Sequence, residues 1–174
     1  MTNQVLEALK NRRSIRKYKT EQIKDEELNA VLEAGTYAPT GMGTQSPLMV
    51  VVQDKGTIAR LSKMNAAFTA DPDGDPFYGA PCVIIVFADS QAHTYTEDGS
   101  LAMGNMLCAA ASLGLGSCWI YRAREVFESD EGRALMKEWG IPESYKGIGN
   151  CILGYAAETP APKPRTDGRI IKVK

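Results

Sequence analysis

Two clusters of basic residues lie far apart in the sequence, one near each end. The segment RRSIR, residues 12–16, places three guanidinium groups and one hydroxyl within five residues. A second cluster, Lys163-Pro164-Arg165, lies in the C-terminal tail. Guanidinium groups bind a phosphate dianion through several charge-assisted hydrogen bonds, because their N–H groups form a planar fork. Each cluster is also consistent with a solvated basic turn or tail, so the phosphate-binding interpretation stays open at this point.

Two glycine-containing segments are further candidates for ligand contact. The loop Ala38–Gln45 (APTGMGTQ) has glycines that permit close approach of the backbone to a ligand, although a plain helix-to-strand connection explains it equally well. The segment Gly114–Ile120 (GLGSCWI) lacks the third glycine of a dinucleotide-binding G-x-G-x-x-G. It also leads from a helix into a strand, which is the reverse of a Rossmann fingerprint. A Rossmann fold is therefore not predicted.

The sequence lacks several motifs that would indicate a hydrolase, a kinase or a metal site. The only histidine, His93, lies in a polar segment, and no G-x-S-x-G or G-x-x-x-x-G-K-[ST] motif is present. The four cysteines form no C-x-x-C pair, and each lies in an apolar stretch. We therefore predict buried thiols in a reducing compartment and no metal site. The sequence therefore lacks the motifs that hydrolases and kinases use, and a reaction carried by a cofactor fits it better.

The composition is that of one globular domain. The chain has 174 residues, of which 44% are hydrophobic and 24% charged, and its formal net charge is −1. No overall field attracts such a chain to nucleic acid or to a membrane. No apolar run approaches the roughly 20 residues that span a bilayer, and the N-terminal segment lacks the apolar core of a signal peptide. A single domain over residues 1–174 and a cytoplasmic location are predicted.

Hydrophobic periodicity predicts alternating helices and strands. Helices are expected at Thr2–Lys10, Asp25–Gly35 with Asp25 as the cap, Thr57–Phe68, Glu97–Leu113 and Asp130–Trp139, and strands at Leu48–Val52, Val83–Ala88, Ser117–Tyr121 and Ile148–Tyr155. Four strands interleaved with helices imply a sheet covered on both faces. The tail differs, because its prolines favour an extended path and its β-prone residues Ile170–Val173 have no obvious local partner.

Taken in this order, the segments resemble the FMN-dependent nitroreductase family over nearly the whole chain, from Val5 to Arg165. The similarity rests on RRSIR, Ala38-Pro39-Thr40 with Gln45, the Ala80-Pro81 entry to the second strand, Gly114–Ile120 and Lys163-Pro164-Arg165. The resemblance implies an α/β (α+β) fold with a central mixed sheet and helices on both faces. It also implies a homodimer with FMN at the subunit interface, in which residues 157–174 extend onto the partner subunit and add a strand to its sheet.

The resemblance also assigns residues to parts of the cofactor. The segment that holds the phosphate, the ribityl chain and the polar edge of the flavin is matched by Arg12, Arg13, Ser14 and Arg16, and the tail residues that close on the phosphate by Lys163 and Arg165. The loop that lines the flavin from the other subunit is matched by Pro39, Thr40 and Gly41, with Gln45 also assigned to the site, and the strand end beside the ring by Trp119, Ile120 and Tyr121. Two positions depart from the family, which usually has Asn in place of Gly43 and often Pro-Trp in place of Ser46-Pro47.

The implied function is transfer of two electrons from NADH or NADPH, through N5 of FMN, to a small organic acceptor such as a nitroaromatic or a quinone. No catalytic side chain is predicted, because the flavin carries the chemistry. Three alternatives remain open. They are a flavin-dependent dehydrogenase or dehalogenase, a non-catalytic flavin-binding redox sensor that uses Cys118 or Cys108, and a basic-tailed interaction domain without a cofactor.

Overall fold

The computed structural model describes residues 2–173, which form one four-stranded sheet with six α-helices around it. The helices are α1 (Gln4–Asn11), α2 (Asp25–Thr36), α3 (Lys55–Ala66), α4 (Tyr95–Ser112), α5 (Ala123–Glu128) and α6 (Asp130–Glu138), and the strands are β1 (Pro47–Val52), β2 (Cys82–Asp89), β3 (Gly116–Ile120) and β4 (Tyr145–Gly154). A short 3₁₀ turn, Gly41–Gly43, precedes β1. Within residues 2–173 no helix is both long enough and apolar enough to cross a bilayer.

The strands are antiparallel neighbours in the order β1-β2-β4-β3. β2 and β4 are therefore central, and β1 and β3 form the two edges. The parallel component of the predicted mixed sheet is a single bridge between Ser14 and Ser117, where the chain before α2 runs beside β3. The tail residues Ile170–Val173 are exposed and belong to no strand of the described chain, so the exchange of a strand between subunits stays a prediction.

The central strand β2 is buried on both faces, which explains its unbroken apolar sequence. Alternate residues of Val83–Ala88 point to opposite sides of the sheet. The odd-numbered ones pack into a core with α3, α5 and α6, and the even-numbered ones into a second core with α2 and α4. Phe87 meets Phe127 of α5 edge to face, with ring centroids 4.7 Å apart. The helices therefore cover both faces, as the sequence predicts.

The helices α1, α3 and α6 begin at residues whose side chains cap them. Asn3, Asp54 and Ser129 accept hydrogen bonds from first-turn N–H groups of α1, α3 and α6. The prediction that Asp25 caps α2 is wrong, because Lys24 is the N-cap and Asp25 is the first helical residue. A carboxylate in the first turn still stabilises the helix, since it lies near the positive end of the helix dipole.

Two local features differ from the predicted elements. α2 continues past Gly35 to Thr36, and Gly35 is buried where an added Cβ would lie 2.8 Å from the sulfur of Met49. Its lack of a side chain thus serves packing against β1 and does not end the helix. The helix α5 has no predicted counterpart, because six residues carry too little periodicity to indicate a helix.

Candidate functional site

The basic segment Arg12–Arg16 lies across the start of β3, directly after α1. The main-chain N–H of Ile15 donates a hydrogen bond to the carbonyl oxygen of Ser117 at 3.0 Å, and the Ile15 side chain is buried. Gly116 permits this close crossing, since a Cβ there would lie 3.0 Å from the Ile15 side chain and 3.2 Å from that of Ala156. The buried Ile15 therefore fixes the position of the basic residues on both sides of it.

Tyr18 holds the same segment from its other end. Its hydroxyl donates a hydrogen bond to the carbonyl oxygen of Ile15 at 2.7 Å, and its backbone forms an antiparallel bridge with Ala156. Burial raises the pKa of the Tyr18 phenol, so the hydroxyl keeps its proton and remains a donor at neutral pH. The segment is thus held by β3 and by the chain that follows β4.

The guanidinium groups of this segment have no acidic partner in the described part of the chain. The four ion pairs found in residues 2–173 all involve other basic residues. Arg13 directs Nη1 at the carbonyl oxygens of Lys10 and Arg12, both at 2.8 Å, and so caps the end of α1. Its remaining N–H groups, and those of Arg12, are left for another acceptor. Positive charge without a counter-charge favours an anionic ligand.

Arg16 is exposed and contacts groups from two distant parts of the chain. Its guanidinium carbon lies 6.0 Å from the centroid of the Tyr78 ring, within reach of a cation–π interaction. Its main-chain N–H donates a hydrogen bond to the carboxylate of Glu158 at 2.5 Å. Since Glu158 begins the tail, the tail leaves the domain from beside the basic segment.

Two buried amide side chains hold the end of β3. Nδ2 of Asn65 donates to the carbonyl oxygen of Tyr121 at 2.9 Å, and Nδ2 of Asn150 donates to that of Ile120 at 3.4 Å. Trp119 and Ile120 are half-buried, whereas Tyr121 is 64% exposed. The strand end therefore presents an exposed aromatic ring on a backbone that is held in place.

The loop Pro39–Gln45 precedes β1 and contains two strained residues. Met42, inside the 3₁₀ turn, has a φ of 55°, and Gln45 has a φ of 50°. Left-handed conformations of this kind cost roughly 1–3 kcal/mol for a residue with a side chain. The Thr40 hydroxyl accepts a hydrogen bond from the N–H of Gln45 at 3.0 Å. The loop is thus a partly exposed segment that its surroundings hold in an unfavourable shape.

A single chain brings together only part of the predicted site. Arg12–Arg16 and Trp119–Tyr121 both adjoin β3, whereas Pro39–Gln45 leads into β1 at the opposite edge of the sheet. Three interstrand spacings separate these edges, which is about 14 Å. Lys163 and Arg165 are exposed, but Lys163 follows Glu158 by five residues, a reach of about 17 Å. The tail cations can therefore approach the basic segment of their own chain, whereas the loop lies at the opposite edge of the sheet from that segment.

Sequence reasoning missed the residues that hold the site in place. Tyr18, Asn65, Asn150 and Asp98 all contact segments that lie far away in the sequence. No local motif marks such contacts. The one available signal was polarity in an apolar context, as for Asn150 within the buried strand β4, where only 3% of the residue is exposed.

The chain is similar to solved nitroreductases along almost its whole length. It is 35% identical to a nitroreductase from Bacteroides fragilis solved with bound FMN, with 99% of this chain and 100% of that one covered and a TM-score of 0.89. A nitroreductase with bound FMN from Desulfitobacterium hafniense is 29% identical, with both chains fully covered and a TM-score of 0.89. A protein of Bacillus subtilis named as an NAD(P)H FMN reductase is 26% identical over 186 residues, which span 94% of this chain and 70% of that protein.

The fold and the site define an α/β protein in which an uncompensated basic segment crosses an edge strand beside an exposed aromatic strand end. The sequence pattern of the Nitroreductase family matches residues 9–155, which include the whole sheet and the basic segment. The chain belongs to the nitroreductase family.

Replacing Gly116 by Ala tests whether the close crossing of Ile15 over β3 holds the basic segment. The new methyl group would press on Ile15 and Ala156, and overpacking costs about 1–3 kcal/mol, so the free energy of unfolding in urea should fall. The control is Gly56→Ala in α3, where only Asp54 lies near the added Cβ, and it should be neutral or slightly stabilising. Equal stability of Gly116→Ala and the wild type would contradict the crossing.

Proposed function

We propose that this protein is an FMN-dependent oxidoreductase that passes two electrons from NADH or NADPH to a small organic acceptor, such as a nitroaromatic or a quinone. The observation that carries the proposal is the uncompensated basic segment Arg12–Arg16, held across β3 beside the strand end Trp119–Tyr121. Membership of the nitroreductase family and the bound FMN of two relatives support the cofactor. The name of the Bacillus subtilis relative supports a nicotinamide donor.

The donor set of the basic segment fits the phosphate and ribityl chain of FMN. A phosphate dianion needs several cationic donors, and Arg12, Arg13 and Arg16 supply guanidinium N–H groups that no carboxylate in residues 2–173 occupies. The half-buried Ser14 adds a hydroxyl that can donate or accept. These four residues would hold the polar half of the cofactor.

The strand end fits the aromatic half of the same cofactor. An isoalloxazine ring is flat and largely apolar, and Tyr121 offers an exposed aromatic side chain directly after β3. Trp119 and Ile120 are half-buried and pack against opposite faces of the sheet, so one of the two side chains would share a face with the ring. The amides of Asn65 and Asn150 keep the backbone of this strand end in one position. A ring held here would lie at the surface, where a nicotinamide or an acceptor can reach it.

The chain's own residues bind and orient, and the cofactor carries the electrons. When bound, FMN supplies a two-electron carrier whose N5 accepts hydride from a nicotinamide and from which electrons pass to the acceptor. Arg16 would offset negative charge at the polar edge of a bound flavin, because its guanidinium has no carboxylate partner in the described chain. No side chain has to act as an acid or a base in this scheme.

We infer a homodimer from the apolar surface that a single chain leaves exposed. α1 buries none of its residues, and its Val5 and Leu9 are 68% and 53% exposed. In the tail, Ile170, Ile171 and Val173 are 80%, 87% and 93% exposed. Contiguous exposed apolar residues mark an interaction surface. A second copy is the partner that would also complete the site, since the loop before β1 lies at the opposite edge of its own sheet from β3.

The path of the tail is consistent with this dimer. It starts beside Arg16, so Lys163 and Arg165 can close on a phosphate that their own chain holds. Beyond them, Ile170–Val173 can extend onto the partner subunit, where β1 is an edge strand with one side unpaired in residues 2–173. The loop Pro39–Gln45 of each subunit would then line the ring that the partner binds.

The redox-sensor interpretation has less support from the structure. Cys118 is buried and Cys108 is half-buried in α4, whereas reactive thiols are exposed and have a lowered pKa. Burial raises the pKa of the Cys82 thiol, in the same sheet, to about 12. A dehydrogenase or dehalogenase would use the same site and differ only in its substrate. The free cysteines are consistent with the reducing cytoplasm, which we propose as the location.

The purified protein should be yellow, and its absorbance should be that of bound FMN. Under anaerobic conditions NADH or NADPH should bleach the flavin band, and a nitroaromatic or a quinone should restore it. A colourless protein that also fails to bind added FMN would refute the proposal. Bound FMN without oxidation of NADH or NADPH would instead favour the sensor, and restoration only by other acceptors would favour a dehydrogenase or dehalogenase.

Riboflavin, which lacks the phosphate, separates phosphate contacts from ring contacts. Arg12→Gln and Arg165→Gln should each weaken FMN binding by about 10- to 150-fold, because a lost charged hydrogen bond costs about 1.5–3 kcal/mol. Riboflavin binding should not change. Lys19→Gln is the control, since Lys19 is an exposed cation outside the assigned set. A parallel loss of FMN and riboflavin affinity would show that these residues do not recognise the phosphate.

Two tail variants separate the tail cations from the exchanged strand. A chain ending at Thr159 should lose FMN affinity and dissociate to monomers at a higher concentration than the wild type, measured by sedimentation. The triple variant Ile170→Asp, Ile171→Asp and Val173→Asp keeps both cations, so it should weaken the dimer and retain the preference for FMN over riboflavin. A truncated chain that stays dimeric and binds FMN normally would contradict the proposed course of the tail.

A further inference from the structure

Asp98 is a buried carboxylate whose hydrogen bonds go to the loop before β1. It is the fourth residue of α4 and only 2% exposed. Its Oδ1 accepts a hydrogen bond from the main-chain N–H of Gly41 at 2.9 Å, and its Oδ2 accepts from the hydroxyls of Ser46 at 3.1 Å and Thr44 at 3.5 Å. None of the ion pairs found in residues 2–173 includes Asp98.

Burying a carboxylate without a cation is unfavourable unless hydrogen bonds replace its water. All three donors of Asp98 come from residues 41–46, so the environment of the carboxylate depends on the shape of this one segment. The converse also holds, because Gly41, Thr44 and Ser46 have a common acceptor only when the loop is folded in this way. The contact is therefore specific for the loop conformation.

The loop needs an external hold, because its backbone is strained and its tip has no packing contact. Met42 and Gln45 have left-handed φ values, and the Met42 side chain is fully exposed. Gly41 lies so close to the start of α4 that an added Cβ would clash with the Thr94 hydroxyl. Apart from the bond between Thr40 and Gln45, the side-chain hydrogen bonds of the loop all end on Asp98.

We propose that Asp98 is a positioning residue that holds the loop Thr40–Ser46 in the shape it presents to the flavin of the partner subunit. The inference rests on the proposed function for its consequence, because the flavin gives the loop shape a role. Asp98 itself touches no cofactor atom. It acts through the backbone of Gly41 and the hydroxyls of Thr44 and Ser46.

The carboxylate is the side chain that matches these three donors. An ionised Asp only accepts hydrogen bonds, whereas an Asn at the same place would offer one accepting oxygen and one donating NH₂ group. The Asn oxygen could still serve the Gly41 N–H, and the hydroxyls of Thr44 and Ser46 could rotate to accept. The variants Asp98→Asn and Asp98→Ala therefore form a graded series. Ser46→Ala removes one donor and leaves the carboxylate in place.

Hydrogen exchange at the Gly41 amide measures the hold on the loop without reference to a cofactor. We expect faster exchange in Asp98→Ala, by about tenfold or more, and an intermediate rate in Asp98→Asn. The matched control is Glu97→Gln, since Glu97 is the exposed neighbour in the same helical turn, and its exchange rate should equal that of the wild type. Unchanged exchange in Asp98→Ala would overturn the proposal. If that variant does not fold, Asp98→Asn and Ser46→Ala give the same comparison.

Flavin binding measures the consequence. If Asp98 shapes a surface that lines the ring, its variants should lose FMN and riboflavin affinity in parallel, in contrast to the phosphate-side variants. The loss should follow the order of the exchange rates and be partly rescued in Asp98→Asn relative to Asp98→Ala. Faster loop exchange with unchanged affinity for both flavins would refute the positioning role. If the wild-type protein binds neither flavin, the proposed function and the role of Asp98 toward the flavin are both refuted. The Gly41 exchange rates then test only whether Asp98 holds the loop.

Discussion

One backbone hydrogen bond, from the N–H of Ile15 to the carbonyl oxygen of Ser117, holds the basic segment Arg12–Arg16 against β3. Because Ile15 is buried and Gly116 has no side chain, the segment after α1 approaches β3 as closely as a neighbouring strand would. The arginines on both sides of Ile15 are thereby tied to a sheet that is rigid, although they are themselves at the surface. The cationic side of a ligand site built in this way does not have to be buried, and its charges remain available to an anion.

The order of the strands has an equally direct effect on assembly. Since β2 and β4 occupy the centre of the sheet and are largely buried, β1 and β3 are the strands whose edges can face a ligand or another chain. The loop before β1 and the basic segment beside β3 are consequently held apart by the width of the sheet. Cofactor binding and dimer formation are therefore coupled in the proposed function, because each site takes its two walls from different subunits.

The buried polar side chains and the arginines of the basic segment have different roles. Asn65 and Asn150 donate hydrogen bonds to the backbone at the end of β3, and Asp98 accepts hydrogen bonds from the loop before β1. The guanidinium groups of Arg12 and Arg16, in contrast, form none of the ion pairs found in residues 2–173. The interior polar groups thus hold the end of β3 and the loop before β1 in position. The basic residues are left to bind an anionic ligand in the proposed function. This arrangement explains how the loop before β1 can have a strained backbone and still be held in one position.

The sequence by itself determined the features that depend on local patterns. The unbroken apolar run Val83–Ala88 indicated a buried strand, and the ordered motifs indicated the family. The anion-binding role of RRSIR stays a prediction from the same sequence. Only the tertiary structure decided the antiparallel strand order, the cap at Lys24, the short helix α5 and the residues that hold the site. Contacts such as Gly41 with Asp98 join positions 57 residues apart. Their formation depends on the packing of the whole chain, because loop closure and burial of both partners must be favourable together, and no local spacing encodes that balance.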